Sequence, residues 1–221
     1  MKIGILIPAY NESDHIGRLV KDIKLIGLEP TVVDDGSTDS TAEEARSSGA
    51  DVIRHAQNLG KGAALKKGFR HMLDKGYDAV LIMDGDGQHS PEEVVKFISL
   101  GDKEPNALVV GDRMGDTKKM PLGRKLTNIF MSFVMSAICG QGIPDSQCGF
   151  RLIRKDLLEK IDIKSSRFEV ESEILVKASR AGAKIISVPI ESIYAREASQ
   201  INPLRDTYRF VAFLIKLPFI K

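Results

Sequence analysis

Ala79-Val80-Leu81-Ile82-Met83-Asp84-Gly85-Asp86-Gly87-Gln88-His89 decides how the rest of the chain is read. An apolar run ends abruptly in two aspartates with a single glycine between them. The run predicts a buried strand, and the aspartates then stand at its carboxyl end, where open α/β sheets bind ligands. Glycine at 85 and 87 lets the backbone turn tightly enough for both carboxylates to converge. Two hard oxygen anions at that spacing suit a divalent cation that also holds phosphate oxygens. A metal-bound phosphate compound at a sheet edge is the expectation.

Strand-like runs flank this stretch at 2–8, 30–33, 51–54, 78–83 and 107–111, and helical patterns lie between them at 13–25, 40–48, 62–75 and 91–100. Short apolar strands alternating with helices predict a mainly parallel, Rossmann-like α/β sheet covered on both faces. Two helix starts carry capping boxes, Ser40 with Glu43 and Ser90 with Glu93, the second with Pro91 at the first helical position. After Arg113 the pattern changes. Leu122, Leu126, Ile129, Phe130, Phe133, Val134, Ala137 and Ile138 recur at helical spacing. Two readings of that helix stand open: a core helix packed on the sheet, or one lining a greasy substrate groove. A strand at 149–153, a helix at 168–181 and a strand at 184–193 follow. The segment 203–221 mixes Tyr208, Phe210, Phe213, Leu214 and Phe219 with Arg205, Arg209, Lys216 and Lys221. Such a basic amphipathic tail lies in a membrane interface or docks on the protein itself or a partner.

At 221 residues and 43% hydrophobic content the chain can bury one substantial core. A net charge of +2 creates no global field for nucleic acid. Cys139 and Cys148, the two cysteines, belong to no CxxC pair, which speaks against a disulfide framework or zinc site and fits a reducing, cytoplasmic compartment. The run after Met1 is too short for a signal peptide, and no apolar stretch reaches the roughly 20 residues of a spanning helix.

Pro8-Ala9-Tyr10-Asn11-Glu12 follows the first strand and Asp34-Asp35-Gly36-Ser37-Thr38-Asp39 the second. Both should open onto the same sheet edge as Asp84 and Asp86. Taken singly, each is ordinary turn chemistry. Converging, three acidic turns would repel unless a cation or a donor-rich ligand sat among them. Asn58-Leu59-Gly60-Lys61-Gly62 lies between them in the chain. Gly111-Asp112-Arg113, Arg124, Asp145 and Gly149-Phe150-Arg151 come after.

In this order, the motifs resemble family 2 glycosyltransferases, in particular the branch that transfers mannose or glucose to dolichyl or polyprenyl phosphate. The likeness runs to about residue 193. It implies a GT-A fold in a single domain over 1–202, with a nucleotide-sugar half (1–113), an acceptor half (114–202) and the tail 203–221 appended. By the resemblance, Pro8, Tyr10, Glu12 and Val33 would border the nucleoside, and Asp35 would accept hydrogen bonds from the base. Asp84 and Asp86, with Gly85 between them, match the DxD pair, and Gln88 would help hold Mg²⁺ or Mn²⁺ against the diphosphate. Lys61 would sit near the nucleotide, unless it is simply a solvated lysine. Arg113 and Arg124 would bind phosphate, a task suited to a guanidinium fork.

The implied reaction moves one hexose from GDP-mannose or UDP-glucose, with inversion, to a polyprenyl or dolichyl phosphate. Such an acceptor oxygen is already anionic and needs no strong base. A hydroxyl acceptor would need one. Asp145 is then the first candidate, or a plain turn residue, and Glu169, Glu171 and Glu173 come next, or form a charged helix face. With no tryptophan, the QxxRW signature of processive synthases cannot occur. Residues 199–203 match the family's basic serine loop only loosely, with Arg196 and Arg205 as its charges.

An EF-hand fails where His89 replaces the glycine and Val95 the terminal glutamate. Neither a GxGxxG nor a GxxxxGK[ST] turn occurs. A non-catalytic GT-A-like scaffold is the remaining rival. If the tail supplies peripheral contact with a cytosolic membrane face, truncation after Pro203 should weaken liposome co-sedimentation. Unchanged binding would reduce it to ordinary packing.

Overall fold

Seven short strands make one sheet: β1 (Ile3–Ala9), β2 (Pro30–Asp34), β3 (Asp51–Arg54), β4 (Ala79–Ile82), β5 (Ala107–Asp112), β6 (Arg151–Arg154) and β7 (Lys184–Pro189). The computed structural model describes residues 1–115, 117, 120–191, 210 and 214. Strand order is β3-β2-β1-β4-β6-β5-β7, with β6 antiparallel to both neighbours and every other pair parallel. Every residue of β1, β2 and β4 is buried, so both faces of the central sheet are covered, as their near-continuous apolar runs predict.

Among residues 1–191 the described helices are α1 (Ser13–Leu25), α2 (Thr41–Ser47), α3 (Lys61–Asp74), α4 (Val94–Lys103), α5 (Leu122–Cys139), α6 (Lys155–Leu158) and α7 (Val170–Arg180). The chain winds from β1 outward to β2 and β3, then returns to place β4 on the other side of β1. That reversal makes a switch point, where the crevice at the strands' carboxyl ends receives ligands. Register keeps those ends level. Pro8 stands beside Val33, Ala9 beside Asp34, and Leu6 beside Ile82.

The expected capping boxes are absent. Neither Ser40 nor Ser90 makes a side-chain cap bond. Residues Pro91–Glu93 form a 3₁₀ turn before α4, closed by Glu93 N–H to the Ser90 carbonyl at 3.1 Å. Glu93 reaches Lys96 instead of turning back. The final strand ends at Pro189, which has no N–H for a ladder and is tolerated because β7 lies at the sheet edge.

Helix α5 corrects the core-helix reading. Its buried stripe is Asn128, Met131, Ser132, Met135 and Cys139. Leu122, Leu126, Ile129, Phe130, Phe133 and Ile138 face outward, Phe133 being 72% exposed. The inward polar groups are satisfied: Ser132 Oγ bonds Asn128 Oδ1 at 3.1 Å and Ser146 Oγ at 3.2 Å. Bonded Asn and Ser side chains can therefore line a core stripe, and the larger apolar ones are left outside.

Of the tail, two positions fall within the described residues. Phe210 is 3% exposed in the core, and Leu214 packs against it. At these positions the tail docks on its own domain. The other tail residues, Arg196, Arg205 and the loop at 199–203 lie outside the described residues, as do the ends of the expected strand and acceptor half.

The second half of the chain is tied to the first by α7. The Glu173 carboxylate accepts the Lys164 and Ser165 N–H groups at 2.9 and 2.7 Å and pairs with Lys177 at 3.1 Å. Burial works to raise its pKa, but these donors outweigh it and hold it below the ordinary glutamate value. A depressed pKa means that its stabilisation is present above that ordinary value and is lost as pH falls below it. The clamp presses Ser165 and Ser166 onto the start of α3. A Cβ on Gly60 or Gly62 would sit 2.4 Å from a carbonyl oxygen there, and Gly60 has φ +97°. The glycines of the Gly60-Lys61-Gly62 motif thus serve close backbone approach. Glu173→Ala should cost about 3 kcal/mol or more in urea unfolding, because Lys177 is left buried and unpaired; a loss near zero would mean that the clamp carries no load.

Candidate active site

Asp34-Asp35-Gly36-Ser37-Thr38-Asp39 and Pro8-Ala9-Tyr10-Asn11-Glu12 are stitched together at the sheet edge. Asn11, with φ 55°, donates its N–H to Ser37 Oγ at 2.9 Å and accepts the Thr38 N–H on Oδ1 at 2.9 Å. The Glu12 N–H donates to Thr41 Oγ1 at 2.8 Å, and the Ser13 N–H to Asp39 at 3.2 Å. Pro8 and Val33 are buried, Val33 completely. The Val33 side chain packs in the core. Tyr10 and Glu12 stand half-buried at the rim.

The repulsion expected of the acidic turns is relieved carboxylate by carboxylate. Asp34 pairs with Arg54 at 3.0 Å. Asp35 binds His55 Nδ1 at 2.7 Å and accepts the Leu59 and Gly60 N–H groups at 3.0 and 2.7 Å. Its two oxygens thus hold the 55–60 loop at the edge of the sheet. Asp84 pairs with Lys61 at 2.5 Å. Lys61 also reaches Glu171 at 2.7 Å, so it is no solvated lysine. Burial works to raise the pKa of Asp84, but Lys61, His89 and Arg113 overcome it and hold it at about 2. Burial works to lower that of Lys61, and Asp84 and Glu171 raise it well above the ordinary lysine value.

Asp86 is the exception. Its carboxylate accepts the Gln88 N–H of its own loop at 3.0 Å and has no cationic partner among the described residues. The loop turns at Gly87, φ +69°, and closes on His89, whose ring stacks on Phe150 at 5.0 Å. Burial lowers the pKa of His89, against the pull of Asp84 and Asp86. Gln88 is half-buried beside Asp86.

Among the described residues no three His, Cys, Asp or Glu side chains form a metal cage. Two carboxylates and an amide are what this chain offers. That set fits Mg²⁺ or Mn²⁺, which need only one or two carboxylates when substrate phosphates complete the shell. Gly149 leaves the room, since a Cβ there would lie 2.4 Å from Asp84 Oδ2.

Arg113 and Asp145 form a second centre. Arg113 Nε and Nη2 donate to the two Asp145 oxygens at 2.7 and 2.9 Å, and Asn128 Nδ2 adds a bond at 2.9 Å. Asp145 is 1% exposed. Burial works to raise its pKa, and Arg113 and Asn128 outweigh it and lower it. Both Asp145 oxygens are thus engaged by side chains of its own chain. The Arg113 fork faces Asp145, not an open phosphate site; Arg124, on the first turn of α5, is half-buried. Arg151, which the sequence reading left without a role, is buried and donates to the Cys148, Ser146 and Glu171 carbonyls at 2.8, 2.8 and 2.6 Å. No spacing announced that clamp. A groove of about 530 Å³ is lined by Met114, Ile129, Phe133, Ile143 and Pro144, the last being the residue before Asp145 in the chain.

The sequence model for "Glycosyl transferase family 2" matches residues 4–162. The chain belongs to glycosyltransferase family 2. It is 32% identical over 236 residues to the UDP-N-acetylglucosamine–dolichyl-phosphate N-acetylglucosaminyltransferase of Methanococcus voltae, covering 96% of this chain and 92% of that protein. It is 31% identical over 205 residues to the undecaprenyl-phosphate mannosyltransferase of Micrococcus luteus, covering 86% and 83%. The structure of glucosyl-3-phosphoglycerate synthase from Mycobacterium tuberculosis with Mg²⁺ and UDP superposes with TM-score 0.74 at 21% identity, over 97% of this chain and 78% of that one. These matches bear out the GT-A fold and place the chain in the hexosyltransferase branch named for lipid-phosphate acceptors.

If Asp145 is a structural anchor, Asp145→Ala should destabilise the fold by about 3 kcal/mol or more, by stranding buried Arg113. A variant that loses activity but keeps wild-type stability in urea would favour the base.

Proposed function

We propose that the protein is a metal-dependent, inverting transferase that moves one hexose from a nucleoside diphosphate sugar to a polyprenyl or dolichyl phosphate at the cytosolic face of a membrane. The observation that carries the acceptor class is the outward apolar face of α5 beside the groove at Pro144. A contiguous exposed apolar patch next to a polar centre suits an isoprenoid chain better than a sugar hydroxyl. Phe210 and Leu214 tie the basic tail to the core of the same domain.

The state of the carboxylates agrees. Asp145 is held by Arg113, Glu171 by Lys61, and Glu173 by two backbone N–H groups. An acceptor whose oxygen is already anionic needs none of them as a base. That oxygen attacks the anomeric carbon as the bond to the diphosphate breaks on the opposite face, and no proton has to move. Arg124, at the head of α5, positions the acceptor phosphate.

On the donor side, Asp84 and Asp86 with Gln88 would hold the cation, and Tyr10 and Glu12 would border the nucleoside. When bound, Mg²⁺ or Mn²⁺ would supply Lewis-acid neutralisation of the leaving diphosphate. Structures of the mycobacterial synthase that contain Mn²⁺ or Mg²⁺ with UDP support this assignment. The names of the relatives support UDP-N-acetylglucosamine as a donor to test beside GDP-mannose and UDP-glucose.

Each donor, assayed separately with Mn²⁺ and a short polyprenyl phosphate, tests the reading. Label should enter the organic phase with one donor, and Asp86→Asn should abolish it while circular dichroism stays unchanged. Wild-type transfer by Asp86→Asn would sink the metal assignment. Transfer confined to hydroxyl acceptors would sink the lipid-phosphate one and make half-buried Glu169 the base to examine.

A further inference from the structure

Lys61 lies between two carboxylates that it cannot serve equally once a divalent cation arrives. Its ammonium is 2.5 Å from Asp84 Oδ1 and 2.7 Å from Glu171 Oε1. The other oxygen of Glu171 is buried and has no hydrogen-bond donor, in a residue only 6% exposed. A buried carboxylate oxygen without a donor is costly, and native structures keep few of them. The start of α7 is fixed in place, because the Glu171 carbonyl accepts Arg151 Nη1 at 2.6 Å. Lys61, by contrast, has three rotatable donors on a flexible stem.

We propose that Glu171 is the second seat of the Lys61 ammonium, and that Lys61 competes with a divalent cation for Asp84. In the unloaded protein Lys61 neutralises Asp84 and keeps it ionised. A cation approaching Asp84 repels the ammonium, which swings onto the vacant Glu171 oxygen and stays paired. Glu171 is thus a positioning residue that acts on the metal site through Lys61. By linkage, whatever makes Lys61 leave Asp84 more readily tightens the cation, and the cation loosens Lys61 from Asp84 to the same degree. This rests on the reading of Asp84 and Asp86 as the cation's ligands.

The test is Mn²⁺ affinity in the presence of UDP or GDP, read by electron paramagnetic resonance of free Mn²⁺, for the wild type, Lys61→Met, Glu171→Gln and the double variant. Lys61→Met should bind about tenfold tighter and Glu171→Gln about tenfold weaker, a coupling of the size usual between linked sites. A uniform change in local charge would give the same signs, so the double variant decides. If Glu171 acts through Lys61, adding Glu171→Gln to Lys61→Met should change affinity by less than about twofold, whereas independent charges would add. Full additivity, or an unchanged affinity in Glu171→Gln alone, overturns the proposal. A wild type that binds no Mn²⁺ overturns both this proposal and the metal reading. Wild-type binding with additive variants leaves the metal reading standing and removes only the switch.

Should Lys61→Met fail to fold, the wild type still decides. The Lys61 side-chain ¹⁵N resonance, identified by its loss in Lys61→Arg, should shift as Mg²⁺ saturates the protein. A resonance that stays in place at saturation overturns the proposal.

Discussion

The Lys61 ammonium, seated between Asp84 and Glu171, joins three parts of the chain that are distant in sequence: the end of β4, the start of α3 and the start of α7. Two carboxylates at partly buried positions would repel each other without it. Around this contact the other constraints fall into place. Gly60 and Gly62 let the 165–166 backbone pass within a Cβ's width of α3, and Glu173 holds that backbone from the far side. Gly149 keeps the space beside Asp84 clear. The nucleotide half and the acceptor half are therefore one packed unit, not two lobes meeting at a linker.

The same arrangement sorts the acidic residues by task. Asp34, Asp35 and Asp145 each face a cation or several N–H groups of their own chain, so their charge is spent on holding loops, whereas Asp84 shares Lys61 with Glu171. The Asp86 carboxylate accepts the Gln88 N–H of its own loop and has no cationic partner among the described residues. In the proposed function that uncompensated charge, beside Asp84 at the switch point, is what draws a cation and diphosphate. Helix α5 meets the Arg113–Asp145 pair through inward Asn128 and leaves its larger apolar side chains facing outward.

Much of this was legible in the sequence. The strand ending in Asp84-Gly85-Asp86 stands where its apolar run predicts, and the alternation of short strands with helices predicts the central parallel sheet. The reversal of β6 carried no such signal, since an antiparallel strand buried on both faces reads like a parallel one. Contacts between distant residues were the hidden part. Glu43 and Glu93 fit a local capping pattern, yet ion pairs claim them, Glu43 with Arg54 eleven residues on and Glu93 with Lys96 on the next turn. Asp145 looked like a free turn carboxylate because nothing in its neighbourhood shows that Arg113, 32 residues earlier, takes both its oxygens. Helix α5 misled for a related reason: hydrophobic periodicity locates an apolar face without saying whether protein or something else covers it.

The central claim is that a cation and a nucleoside diphosphate bind together at the carboxyl ends of β1, β2 and β4. Paramagnetic broadening of backbone amide resonances by substoichiometric Mn²⁺ with UDP or GDP tests it directly. The account predicts that Gly85, Gly87 and Gln88 broaden first, followed by Asn11 and Glu12, while the amides at the opposite end of the sheet stay sharp. Broadening centred on the Arg113–Asp145 pair or on the surface of α3, with the 84–88 loop unaffected, would contradict it.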